Sequence, residues 1–333
     1  MSNEKTAEGR NSRKFLAGLK RFMSNYSIIY AIVILCIVLS FASDKFLTAG
    51  NIIKLLRQVS MISIIAVGSY FVMVSGGIDI STGANVGLTS VLFSMLMVNG
   101  GVHPALAVVL ALCLGALIGM INGFIVTRLG IPAMIATLAM QYVCQGTTYV
   151  ITKGYAISGL PEEILFLGNG YLFGVELLPW PVVIMLLVVI VAHFVSQRTK
   201  FGRYLYAVGG NAEASYLSGI NDKAIQSWSY VICGALASLA GVILTCRLES
   251  GQSNAGLGWE FEAIIGAIIG GVSLSGGRGR VFGALLGAIL VGILTNGMTL
   301  LNVDSNYQKI VKGLILIFAI GFDIYNIRRQ NKK

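Results

Sequence analysis

Pro104-Ala-Leu-Ala-Val-Val-Leu-Ala-Leu-Cys-Leu-Gly-Ala-Leu-Ile-Gly-Met-Ile-Asn-Gly-Phe-Ile-Val-Thr127 runs for 24 residues without a charged side chain. Coiled as a helix at about 1.5 Å per residue, it is long enough to cross a hydrocarbon layer about 30 Å thick. Apolar runs of similar length recur along nearly the whole chain. The 333 residues are 56% hydrophobic and 11% charged, whereas soluble domains carry roughly 25% charged residues. A soluble globular protein is excluded, and the pattern predicts an all-α polytopic integral membrane protein, because lipid leaves no water to satisfy an open backbone.

Working outward from that run, we place about ten transmembrane helices at 26–43, 55–75, 83–99, 104–127, 132–151, 179–195, 226–246, 258–274, 281–301 and 310–327. The eighth is the least secure with the tenth. Its strongly apolar part, Ala263 to Val272, is short and Gly-rich enough to be re-entrant. Residues 1–25 read as a basic cytoplasmic leader, in which Phe15, Leu16, Leu19, Phe22 and Met23 share helical spacing and suit a short interfacial helix. Residues 26–327 form the transmembrane domain, with a polar connection at about 196–225, and 328–333 form a basic cytoplasmic tail.

The net charge of +10 lies in connections and tails rather than on one face, which favours topology over nucleic-acid binding. With the N-terminus inside, 17 of the 24 Lys and Arg residues fall in inner segments. Both termini are therefore expected in the cytoplasm. Cys36, Cys113, Cys144, Cys233 and Cys246 lack metal or redox spacing, and His103 and His193 read as packing or interfacial residues, so no metal is expected.

Small residues recur at four-residue spacing in Gly83/Gly87, Gly115/Gly119/Gly123, Gly266/Gly270 and Gly279/Gly283/Gly287. Such spacing lets helix backbones approach closely, and packing within one bundle is the simpler reading than a dimer seam. Gly76-Gly77-Ile-Asp-Ile-Ser echoes Gly270-Gly271-Val-Ser-Leu-Ser, although unequal offsets leave a clean duplication unproven.

The polar connection carries the richest local signals. Asn211 can cap a new helix, Glu213 suits its positive end and Gly219 can take the left-handed stop, giving about two turns. So short a helix is barely stable alone. Tyr216 and Leu217 would gain from a partner groove, although patterning alone favours an ordinary solvated loop. Asp79 either lines a pathway or, more simply, caps the next helix with Ser81 and Thr82. Asn122 and Asn296 are the other candidate lining residues, and helix packing or capping explains them more simply. Glu260 and Glu262 read as helix-start electrostatics on the outer side. Gly276-Gly-Arg-Gly-Arg280 lacks the phosphate-loop pattern, none occurs in the chain, and no catalytic constellation is visible. The chain is therefore expected to be no enzyme and to hold no cofactor.

In order along the chain, Leu56-Arg-Gln-Val-Ser60, Ser75-Gly-Gly-Ile-Asp-Ile-Ser-Thr-Gly83, Asn122-Gly-Phe-Ile-Val with Ile131-Pro-Ala-Met-Ile-Ala-Thr-Leu138, Gly202-Arg203 with Ala207-Val-Gly-Gly-Asn211 and Ser218-Gly-Ile220, and Ile269-Gly-Gly-Val-Ser-Leu-Ser-Gly-Gly277 leading into Asn296-Gly-Met resemble the permease subunits of ribose-type sugar ATP-binding-cassette (ABC) importers. The resemblance covers nearly the full length. It implies the ABC importer permease fold in the cytoplasmic (inner) membrane and inward movement of a ribose-like or related monosaccharide. It also implies a second permease copy or paralogue, a cytoplasmic ATPase carrying ATP and Mg, and an extracytoplasmic sugar-binding protein. Gly202, Arg203, Gly210, Asn211, Glu213, Ala214, Tyr216, Leu217 and Gly219 become the expected ATPase contact. Thr82, where the family commonly has Val, and Ser215-Tyr216, in place of a smaller Ala-rich pair, depart from the usual wording. The rival classes are an ion-coupled carrier without an ATPase, which predicts membrane-embedded charged pairs, and an intramembrane enzyme.

Overall fold

The computed structural model describes residues 27–175 and 178–330. The interfacial helix expected in the leader, and the last three residues of the basic tail, lie outside the described residues. Thirteen α-helices occur among the described residues: α1 (Ser27–Ala42), α2 (Ala49–Val74), α3 (Thr82–Val98), α4 (Pro104–Thr127), α5 (Ala133–Thr152), α6 (Glu162–Asn169), α7 (Trp180–Arg198), α8 (Lys200–Gly210), α9 (Ala212–Leu217), α10 (Asp222–Leu248), α11 (Trp259–Ile269), α12 (Val281–Leu300) and α13 (Ser305–Gln330). Two-residue strands, β1 (Ile157–Ser158) and β2 (Ser250–Gly251), pair antiparallel. Five helices, α2, α4, α7, α10 and α12, are long and apolar enough to span a bilayer.

Sixteen consecutive residues of α2, Val59 to Val74, are buried, so this helix is enclosed on all sides at the centre of the bundle. α4 and α7 instead turn large aliphatic side chains outward, among them Leu106, Leu117, Phe124, Leu187, Ile190 and Phe194. That inversion is the membrane pattern, in which lipid replaces water outside and close packing replaces hydrophobic drive inside.

The small-residue spacings serve contacts within the chain. On α4, Gly115 meets the Gly234 carbonyl of α10, and Gly119 meets that of Tyr230. Side chains at these glycines would drive the helices apart. Gly266 and Gly270 of α11 likewise face Gly287 and Gly283 of α12.

Two helices are broken inside the bundle. α2 ends at Gly76, whose φ of 88° follows the helix with Gly76 and Gly77 N–H groups bonded to Met73 and Val72 carbonyls. Residues 77–80 then run without regular structure to the turn at Ser81 that opens α3. α11 ends the same way at Gly271, also at φ 88°, with Gly271 and Val272 bonded to Ile268 and Ala267. The echo noted in the sequence thus marks two equivalent helix stops, shifted by one residue from the alignment of the letters.

α10 breaks after Leu248 at Glu249, and the chain passes through 250–258 to α11. With 11 residues, α11 is only about 16 Å long. The eighth expected span is therefore a half-helix that does not cross. The N-termini of α3 and α11 meet, for Gly83 lies against the Gly256 carbonyl and the Glu260 carboxylate. α3 passes β2 through Ser94 and Gly251, while the link after α11 joins the end of α2 by a Gly277 N–H bond to the Val74 carbonyl at 2.9 Å.

Candidate functional site

The connection after α7 folds into two helices, only one of which the sequence revealed. Thr199 caps α8 through the Gly202 N–H at 3.2 Å. Leu205 and Val208 are buried, and Gly202 sits tightly on the Ser196 carbonyl. Tyr206 fixes the helix to the bundle: its hydroxyl lies 2.7 Å from that of Tyr70 and 2.8 Å from the Gly279 carbonyl to which it donates. Gly209 closes against Val74 and Gly277. α8 is thus seated on the junction between the end of α2 and the α11–α12 link.

α9 follows as expected. The Asn211 side chain accepts from the Ala214 N–H at 2.9 Å, Glu213 lies in the first turn, and Gly219 has φ 81°. Tyr216 is 67% and Leu217 79% exposed, so this six-residue helix projects two large apolar side chains away from its base. Arg203, Gly210, Asn211, Glu213, Ala214 and Gly219 are exposed as well, whereas Gly202 is buried and positions α8 instead of presenting a surface. A groove of about 830 Å³ beside α9 is bordered by Arg128, Glu213, Tyr216 and Lys223.

Asp79 and Asn122 come together through Ser81. The Asp79 Oδ1 accepts from the Ser81 N–H at 2.9 Å and hydroxyl at 2.6 Å, and Asn122 Nδ2 donates to the Ser81 Oγ at 2.9 Å. Ser81 is the residue preceding α3, yet no side chain caps that helix. Asp79 therefore orders the turn ahead of α3 rather than capping it as the sequence had suggested, and the Thr82 hydroxyl stays unpartnered. The rest of the irregular segment is clamped by neighbours: Thr137 of α5 accepts from the Ile80 N–H at 3.2 Å, and Tyr230 of α10 donates to the Ile78 carbonyl at 3.3 Å. Irregular backbone inside a bilayer is tolerated when protein satisfies it in this way.

Asn296 does not join them. It exchanges two side-chain hydrogen bonds with Asn51, of 3.1 and 2.9 Å. Asn51 opens α2 and Asp79 follows its end, so the three expected lining residues occupy opposite ends of the bundle.

The second break holds groups that sequence reasoning undervalued. Glu260 is 1% and Glu262 6% exposed, so neither is a surface charge at a helix start. Glu260 accepts from the Gly258 N–H at 3.0 Å and from Gln141 Nε2 at 3.3 Å. Glu262 pairs with Lys312 of α13 at 2.5 Å. The reading of Glu260 and Glu262 as helix-start electrostatics on the outer side is corrected accordingly, and the chain does hold a buried charged pair of the kind an ion-coupled carrier predicts. The signal was present in the sequence: two carboxylates directly preceding an apolar run too short to span. Among the described residues no cluster of His, Cys, Asp and Glu is arranged to hold a metal.

The family described as branched-chain amino acid transport system / permease component matches residues 51–320. A ribose import permease protein of Bacillus subtilis is 42% identical over 87% of this chain and 89% of its own length. One from Escherichia coli is 41% identical over 91% of this chain and 95% of its own. A fructose import permease protein of Rhizobium meliloti is 32% identical over 94% and 89% respectively. No solved structure matches the chain.

Proposed function

This chain belongs to the family described as branched-chain amino acid transport system / permease component, in its ribose-type sugar-importer group, and we propose that it is the membrane-spanning subunit of an importer that carries a monosaccharide inward. ATP and Mg reside on a separate cytoplasmic ATPase, and an extracytoplasmic sugar-binding protein delivers the solute. A second permease, identical or paralogous, completes the conduit. Both termini face the cytoplasm in this reading.

The observation that carries it is the pairing of an exposed α9 with a seated α8. A short helix presenting Tyr216 and Leu217 at 67% and 79% exposure is a poor structure by itself. It becomes useful when a partner surface covers it. Force on α9 passes into α8, whose Gly209 and Tyr206 bear on Val74, Gly277 and Gly279. Those residues end α2 and link α11 to α12. A displacement there can bias two packed states of the bundle, as alternating access requires. Asp79 and Asn122 hold the first break in shape, and Asn296 ties α12 to α2. Any contact these three make with solute is secondary to those roles.

A reconstitution tests the reading. Sugar uptake into liposomes is expected only with the ATPase, the binding protein and ATP present. Asn211→Pro combined with Tyr216→Ala is expected to leave a folded permease in which ATP hydrolysis no longer drives uptake. Undiminished uptake by that variant removes the connection from the mechanism. The buried Glu262–Lys312 pair favours a second reading, an ion-coupled carrier. Uptake by the isolated chain under an ion gradient alone would establish it.

A further inference from the structure

A groove of about 690 Å³ opens between α5, α11 and α13, within the range of small-molecule sites. We propose that it is a subsite for a neutral, hydroxyl-rich solute, bound by the polar groups of Gln141, Glu262 and Lys312 and by the ring of Phe261. The proposal rests on the importer reading above and names where in the chain the cargo is held.

Three observations support it. First, the groove carries unused hydrogen-bonding capacity. The Glu262 Oε2 and the Gln141 Oε1 are buried without partners, although Glu262 is 6% exposed and each residue lines the groove. Buried acceptors are costly unless satisfied, and once these side chains turn toward the groove a ligand rich in O–H donors satisfies both. Lys312 uses one N–H on Glu262 and has others to offer a hydroxyl oxygen.

Second, Glu262 and Lys312 neutralise each other, and Glu260 is held by Gly258 and Gln141. Lys309 and Glu260 line the groove as well, one cation and one carboxylate, so the lining as a whole carries no excess charge to select an ionic solute. Third, apolar side chains share the lining: Phe261 and Leu257 line the same groove and are 42% and 57% exposed. A pyranose or furanose ring has the matching character, with C–H groups on its faces and hydroxyls at its rim. Phe261 lies between Glu260 and Glu262 in sequence, so one turn of α11 supplies both kinds of lining.

The test uses the complete transporter in proteoliposomes, with its ATPase and binding protein, offered ribose, allose, xylose and fructose in turn. A wild-type complex that imports none of them sinks the importer reading itself. With an imported sugar identified, Gln141→Leu and Phe261→Ala are each expected to lower its initial uptake about tenfold. Phe261→Cys, in a chain also carrying Cys113→Ser, is expected to react several-fold more slowly with a water-soluble thiol reagent at saturating sugar. Position 261 is partly exposed, so this variant keeps the question open to measurement even if a buried substitution fails to fold. Labelling that ignores the sugar overturns the subsite, as does uptake by both Gln141→Leu and Phe261→Ala within about twofold of wild type.

Discussion

The break between α2 and α3 and the break between α10 and α11 solve the same problem in opposite ways. Each interrupts a helix in the interior and aims a new helix start at the middle of the bundle, and Gly83 brings those two starts into contact. The first is clamped: Thr137, Tyr230 and Ser81 engage Ile80, Ile78, Asp79 and Asn122. The second opens onto a groove with carboxylate and amide oxygens still unmatched. A bundle that must change shape around a cargo needs one rigid half and one receptive half; unmatched polar atoms occur at both breaks, Thr82 and Asn122 at the first and Gln141 and Glu262 at the second, and the groove at the second is what distinguishes them.

Breaking both halves at once should cost most. Gly83→Val places a side chain into the Gly256 carbonyl and the Glu260 carboxylate, where overpacking of about 3 kcal/mol or more is expected. Loss of the monodisperse peak on size exclusion checks this. Next comes the clamped break alone. Asp79→Ala strands the Ser81 N–H and hydroxyl inside the bundle, at about 2 kcal/mol, read as a lower Tm in detergent. The receptive break should respond less: Gln141→Leu removes one donor to Glu260 from a half-buried position, and a loss below about 1 kcal/mol is expected in the same melt. If Gln141→Leu destabilises as much as Asp79→Ala, the contrast between the halves is gone. Smallest of all, Tyr216→Ala on the projecting α9 should shift stability by under about 0.5 kcal/mol, its effect appearing only in ATP-driven uptake.

Much of this architecture was legible in the letters. Apolar runs located the ten principal helices, and glycine spacing identified the faces on which α4 meets α10 and α11 meets α12. Asn211, Glu213 and Gly219 marked α9 because capping is local chemistry. α8 escaped notice since Lys200–Gly210 mixes charge, glycine and tyrosine, and its helical state depends on Tyr206 reaching Tyr70 and Gly279, far away in sequence. The candidate site was hidden for the same reason. Whether Glu262 faces water or Lys312 depends on where α13 packs, and whether Asn296 lines a passage or ties two helices depends on Asn51. Local pattern reveals a helix end; it does not reveal which distant side chain arrives there.

The polar ladder between α3 and α10 bears on how the protein is made. Asn85 donates to the Gly234 carbonyl at 3.0 Å, the Thr89 and Ser238 hydroxyls lie 2.7 Å apart, and Thr245 donates to Ser90 at 2.8 Å. Each rung joins residues about 150 positions apart. During synthesis α3 must therefore leave the ribosome long before the helix that matches its hydroxyls and amide, and lipid cannot stand in for it. Until α10 emerges these groups lack the partners they have in the folded chain, so the interior of the bundle can be completed only late in synthesis.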